Sequence, residues 1–240
     1  MSCFFVTGTD SGVGKTVVSR AIIQAMQQQH CQIVGYKPVA CNSHSFSYFN
    51  QINEENEQNA DVLTLLESTQ QAVNYQDINS YTLHAGQEPG IIDLLSQCQS
   101  IDINKINRDL DVLASRFESV LVEGSFGWKT PITQQLFFSD WVMQRKMPVV
   151  LVVGIKEGCI NHALLTAESI VQCGVTLLGW VANRINPGIS NYPAIIELLM
   201  KKLNAPLLGQ IPYLHHPESK DLAHFITNHE RLNYCRTVIS

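Results

Sequence analysis

Apolar residues recur along this chain in two alternating rhythms. The run Cys3 to Thr7 reads as a short buried strand ending in a Gly-containing turn. From Lys15 to Gln29 the rhythm changes: Val18, Ala21, Ile22, Ala25 and Met26 recur at helical spacing on one face. A second strand is expected at Gln32 to Tyr36, closed by Lys37-Pro38. Residues 40–59 are rich in Ser, Asn, Gln and Glu and read as a long loop. Helical spacing returns at Ala60 to Glu67, and again where Ile106, Leu110, Leu113 and Phe117 share a face. Tyr81 to Gly90 reads as irregular. The strand Ser119 to Val122 runs into Glu123-Gly124, and Pro148 to Val153 is apolar almost throughout, as a strand covered on both faces must be. A helix over Asn161 to Cys173, a strand over Thr176 to Ala182, a helix over Tyr192 to Leu203 and a strand over Leu207 to Ile211 follow. Such alternation predicts an α/β fold: a mostly parallel sheet with helices on both faces. One domain over residues 1–228 is expected, with residues 229–240 as a loosely held polar tail.

Composition narrows the class. The 240 residues carry 16 Lys plus Arg against 21 Asp plus Glu, a net charge of −5, with no basic cluster. Nucleic acid and anionic membrane surfaces are therefore not expected as partners. Charged residues are only 15% of the chain, against roughly 25% in ordinary soluble domains. The seven cysteines are scattered without a Cys-x-x-Cys pair, which points away from a disulfide framework or a zinc site. Pro148 to Ile155 is too short to span a bilayer, and Met1 to Gly8 lacks the features of a secretory leader. A cytoplasmic protein is expected.

The sharpest motif is Gly8-Thr9-Asp10-Ser11-Gly12-Val13-Gly14-Lys15-Thr16, between the first strand and the first helix. Glycines there let backbone N–H groups curl around phosphate oxygens, and the helix N-terminus adds partial positive charge. Lys15 can reach the β and γ phosphates, and the Thr16 hydroxyl can ligate Mg²⁺. The spacing is unusual: the customary first Gly falls on Thr9, with Gly8 one residue earlier. ParA- and MinD-like ATPases carry a signature Lys where Asp10 stands, which argues against a nucleotide switch of that kind.

Other residues admit two readings each. Lys37, in Gly35-Tyr36-Lys37-Pro38-Val39, is either a solvated strand-end lysine or a cation for a transferring phosphoryl group. Glu123 is either a strand-end cap or an acid that orients Mg²⁺. Asp61 begins a helical pattern, where it suits the helix dipole. Asn161 is a candidate N-cap, and His162 alone reads as structural. His215-His216 lacks a partner at metal-ligand spacing.

These segments together resemble the dethiobiotin synthetase family over nearly the whole chain to about residue 218. The likeness rests on Phe5 to Asp10, Val13 to Thr16, Gly35 to Ala40, Val122-Glu123-Gly124, Gly127-Trp128, Asp140-Trp141-Val142, Gly158 to Ala163, Gly179 to Asn183 and Pro206 to Pro212. It implies a P-loop NTPase-like single domain. It also implies a reaction: CO₂ adds to an amino group of 7,8-diaminononanoate, ATP phosphorylates the carbamate to a carbamic-phosphoric anhydride, and the second amine closes the ureido ring. Residue by residue, the resemblance puts Lys37 and Lys15 in catalysis and Thr16, Asp61 and Glu123 around Mg²⁺. It places ATP on Gly12, Val13, Gly14, Lys15, Thr16, Val17, Asp61, Glu123, Asn183, Arg184, Pro212, Tyr213, Leu214 and Glu218. Lys37, Cys41, Asn161 and Tyr192 would meet the amine substrate, Tyr192 from the second subunit of a homodimer. Four departures fall on the substrate side or inner loop: Gly12 for Glu, Cys41 for Ser, Phe126 in a Gly-rich loop, and Glu88 to Ile92 for a Ser-Pro-His-like segment. They leave open a paralogue that keeps the Mg-ATP site but acts on another amine or with weak activity.

Overall fold

The computed structural model describes residues 2–42, 58–84 and 100–233. Seven strands form one sheet in the order β3-β2-β4-β1-β5-β6-β7, and every neighbouring pair is parallel. The strands are β1 (Ser2–Gly8), β2 (Ile33–Asn42), β3 (Asn79–His84), β4 (Ser119–Glu123), β5 (Val149–Gly154), β6 (Leu177–Asn183) and β7 (Leu207–Ile211). The helices are α1 (Lys15–Gln27), α2 (Ala60–Ser68), α3 (Ile103–Arg116), α4 (Phe138–Gln144), α5 (Cys159–Gln172), α6 (Tyr192–Lys202) and α7 (Glu230–Asn233). Every residue of β4 and β5 is buried, which requires cover on both faces and explains their continuous apolar runs. β1 lies between β4 and β5, so the turn after Gly8 opens at the middle of the sheet's carboxyl edge. Open parallel sheets bind their ligands along that edge.

Three expectations need correction. β2 does not close at Lys37-Pro38 but runs on to Asn42. Its first half pairs with β4 up to Tyr36, and its second half pairs with β3 from Lys37. The Lys37 N–H bonds to the Ile78 carbonyl on the β3 side, so Pro38 faces the side where pairing with β4 has ended. A missing N–H costs nothing there. The strand therefore takes residues 40–42 out of the expected loop, and residues 43–57 lie outside the described residues. Next, Tyr81 to Gly90 is not irregular at its start, because Asn79–His84 is an edge strand. Its polar sequence hides it; the Asn79 amide bonds the Lys37 carbonyl at 2.8 Å and ties it to β2. Residues 85–99, including Glu88 to Ile92, lie outside the described residues. Last, the tail begins anchored: α7 buries Leu232 completely.

Helix α4 was not legible, being too short to show a period. It is held by Phe138 and Trp141, whose rings pack with Phe5 at centroid distances of 5.7 and 6.4 Å. The buried Trp141 indole donates to Asn107 Oδ1 at 2.9 Å, so its polar edge is satisfied. This cluster underlies the segment after β4. A Cβ at Gly124 would lie 2.5 Å from the Phe5 ring, so the chain can leave Glu123 this closely only as glycine.

Candidate active site

The turn from β1 to α1 is assembled from backbone groups. Gly14 precedes the helix at φ 83°, the left-handed region that glycine enters without penalty. A Cβ there would also lie 2.0 Å from Asn183 Nδ2. That amide donates to the Val13 carbonyl at 2.9 Å, so the end of β6 braces the loop. Lys15 is buried, and its ammonium donates to the carbonyls of Asp10 (3.1 Å) and Phe126. Burial, then the neighbouring Lys37 charge, push its pKa down to about 8.

A second cluster lies beside it. Lys37 is 2% exposed, which excludes a solvated strand-end lysine. Its ammonium donates to Asp61 Oδ2 at 2.5 Å and to Glu123 Oε1 at 2.7 Å. Burial would lower its pKa, but Glu123 and Asp61 outweigh burial and hold it above the usual lysine value. The Thr16 hydroxyl donates to the same Glu123 oxygen at 2.8 Å. Glu123 is wholly buried, and its other oxygen, Oε2, has no hydrogen-bond partner.

Asp61 is partly exposed and sits in the first turn of α2, where it also suits the helix dipole. Burial raises its pKa, but Lys37, with Thr16 and Lys15, carries it below the usual carboxylate value. Asn59 caps that helix, accepting from the N–H groups of Asp61 (3.0 Å) and Val62 (3.3 Å). Its amide reaches back to the Cys41 carbonyl at 3.1 Å, joining the helix to β2.

The donor set here is a hydroxyl and two carboxylates, one with an orphaned buried oxygen. Hard oxygen donors of this kind suit Mg²⁺. Among the described residues no cluster of three or more His, Cys, Asp or Glu offers a softer site, and His215-His216 is not part of one.

The remaining expected residues divide by place. Pairing of Asn183 with Ile211 puts Asn183 and Arg184 beside residues 212–214 at the carboxyl edge. The Arg184 N–H donates to the Ile211 carbonyl at 2.9 Å. Tyr213 is exposed and packs edge-on against His215 at 5.3 Å. Glu218, in a single turn of tight helix, accepts from His216 Nδ1 at 3.1 Å. Tyr192 packs within its own chain: Arg184 stacks over its ring at 5.2 Å, and its hydroxyl meets Gln210 at 3.3 Å. Asn161 is not the N-cap of α5; Gly158, at φ 77°, holds that position. Asn161 and His162 are exposed in the first turn.

Phe126 adopts a left-handed φ of 55°. Its carbonyl is turned to Lys15, and its half-buried ring packs against the core, so the backbone follows a course glycine would take more easily. A cavity of about 620 Å³ lies between the phosphate loop, residues 126–130 and the Leu165–Ser169 face of α5. Sequence reasoning missed Lys156, whose ammonium holds Asp10 Oδ2 at 2.9 Å. Its only signal was its place two residues beyond β5, next to the phosphate loop's side of the sheet.

A sheet of this order with a lysine-bearing phosphate loop after β1 defines a P-loop nucleotide-binding domain. The AAA domain family matches residues 3–220. Solved structures agree on the fold: the MinC:MinD cell division complex of Aquifex aeolicus has a TM-score of 0.56 at 16% identity, covering 98% of this chain and 96% of that one. The Pyrococcus furiosus cell division ATPase MinD gives 0.53 at 17%, covering 98% and 99%. Sequence relatives are closer. The ATP-dependent dethiobiotin synthetase BioD of Mannheimia succiniciproducens is 58% identical over 245 residues, covering 100% of this chain and 99% of its own. BioD 1 of Pasteurella multocida is 54% identical, covering 100% of both chains. The chain belongs to the dethiobiotin synthetase family.

Proposed function

We propose that this protein is an ATP-dependent dethiobiotin synthetase, a ligase of biotin biosynthesis. Its substrates are CO₂ or bicarbonate, 7,8-diaminononanoate and ATP. The observation that carries the reading is the buried Lys37 ammonium held between Glu123 and Asp61, beside Lys15 and the Thr16 hydroxyl. A phosphoryl transfer between two anions needs cations fixed in advance, and a lysine already clamped by two carboxylates reorganises little. A carbamate oxygen attacks the γ-phosphate; ADP leaves; the second amine then attacks the carbamoyl carbon and expels phosphate. Lys37 and Lys15 hold the developing negative charge during transfer. Residues 12–17 cradle the phosphates, Asn183 with Pro212, Tyr213 and Leu214 holds the adenine, and Arg184 and Glu218 lie by the nucleotide.

Thr16, Asp61 and Glu123 would hold Mg²⁺, supported by the orphaned Glu123 Oε2. Bound there, the ion neutralises charge on the phosphate oxygens. Cys41 and Asn161 would face the amine. A homodimer in the cytoplasm, acting through the unit 1–228, completes the reading. Among the described residues no helix is long and apolar enough to cross a membrane.

The test is incorporation of labelled bicarbonate that depends on both ATP and the diamine. It is expected in the native protein and lost in Lys37→Ala. Folded protein that binds Mg-ATP but incorporates no label would overturn the reading.

A further inference from the structure

The link between β5 and α5 touches the phosphate loop through a side chain that neither nucleotide nor amine binding accounts for. Lys156 Nζ pairs with Asp10 Oδ2 at 2.9 Å, while Asp10 Oδ1 accepts from the Ser11 N–H at 2.8 Å. The carbonyl of the same Asp10 receives Lys15 Nζ at 3.1 Å. One residue thus meets both lysines, with its carboxylate on one and its carbonyl on the other. The link is fastened on its other side too. The Ile155 N–H donates to the Asn183 carbonyl at 2.8 Å, and Asn183 Nδ2 donates to Val13. The Lys156 carbonyl accepts from Cys159 N–H at 3.1 Å, leading into α5, whose first turn carries the exposed Asn161.

We infer that Lys156 is a positioning residue. Through Asp10 it fixes the backbone of the phosphate loop and the direction of Lys15, and it ties that loop to the start of α5. Both partners of the pair are a third or more exposed, and exposed pairs contribute little to global stability. Its work is therefore to hold geometry, for which small misplacements are costly. The Lys156 hydrogen bond is the leading cause that keeps Asp10 below the usual carboxylate value, with His162 a lesser contributor.

Mg-ATP titration by calorimetry on the full chain tests this without relying on the proposed reaction. Lys156→Met is expected to weaken Mg-ATP binding about tenfold, with an unchanged unfolding midpoint. Lys156→Arg is expected to restore affinity to within about threefold of the parent. Asp10→Asn keeps an acceptor for Ser11 but loses the charge; it should match Lys156→Met, and the double variant should be no worse than either alone. Where turnover is measured, kcat should fall about tenfold with the KM of the amine within about twofold. Affinity in Lys156→Met within twofold of the parent, or losses that multiply in the double variant, would overturn the inference.

Discussion

Lys15 and Lys37 are both buried lysines at one carboxyl edge, yet their surroundings move them in opposite directions. Lys15 meets two backbone carbonyls and is pushed down to about 8. Lys37 meets two carboxylates and is held above the usual lysine value. Burial is common to both; the partners decide the outcome. Backbone carbonyls stabilise a cation only partly, which leaves Lys15 ready to move onto an anionic ligand. Carboxylates hold their cation in place, so Lys37 is set before any ligand arrives. The phosphate loop is a receiving surface, and the Lys37 cluster is a fixed charge array.

The largest effect should come from breaking the fixed array. Lys37→Met leaves Glu123 buried without its cation, which should cost about 3–5 kcal/mol in urea unfolding. Turnover should fall by about a thousandfold. Full stability in that variant would mean that Lys37 and Glu123 are not the coupled pair described here. Next in size, Gly14→Ala must enter a left-handed φ and displace the Asn183 amide. The expected loss is about 2–3 kcal/mol, together with Mg-ATP binding, measured by thermal unfolding with and without nucleotide.

Lys15→Met sharpens the contrast because its sign is reversed. A cation whose folded pKa is depressed destabilises the fold at neutral pH, so its removal should raise stability by about 1–2 kcal/mol while ATP binding is lost. In the native protein the unfolded chain binds the extra proton between pH 8 and the ordinary lysine value of 10.5. Stability from this group therefore rises with pH across that window, and Lys15→Met should lack the rise. Nucleotide affinity should move the other way, weakening about tenfold per pH unit above 8 and staying level below it. Lys37 is opposite: its contribution is complete below 10.5 and is lost only as pH rises through its higher folded value. Smallest is the support of Asp61. Asn59→Ala removes the α2 cap and should cost about 1 kcal/mol, with a severalfold fall in turnover.

Much of this site is legible in the sequence. Lys15 and Thr16 were marked by glycines between strand and helix, because a phosphate loop must be written locally. Lys37 was located, but its burial was not: a strand end was expected where β2 in fact passes from β4 to β3. Asp61 carries no local signal beyond a helix dipole, and its link to Lys37 spans 24 residues. Lys156 meets Asp10 across 146 residues, a distance no periodicity reports. Phe126 drew attention as a bulky departure in a Gly-rich segment. The structure turns its carbonyl, not its ring, toward Lys15.

By itself the sequence determined the alternation of strands and helices, the phosphate loop and the identity of the charged residues, since each follows from neighbours along the chain. Only the tertiary structure decided which charges meet. Strand order sets β1 between β4 and β5 and β4 beside β2, and that order brings Thr16, Lys37 and Glu123 together. Coulombic attraction and desolvation act through space, so whether a lysine is loosened or locked depends on the partners that folding gathers around it.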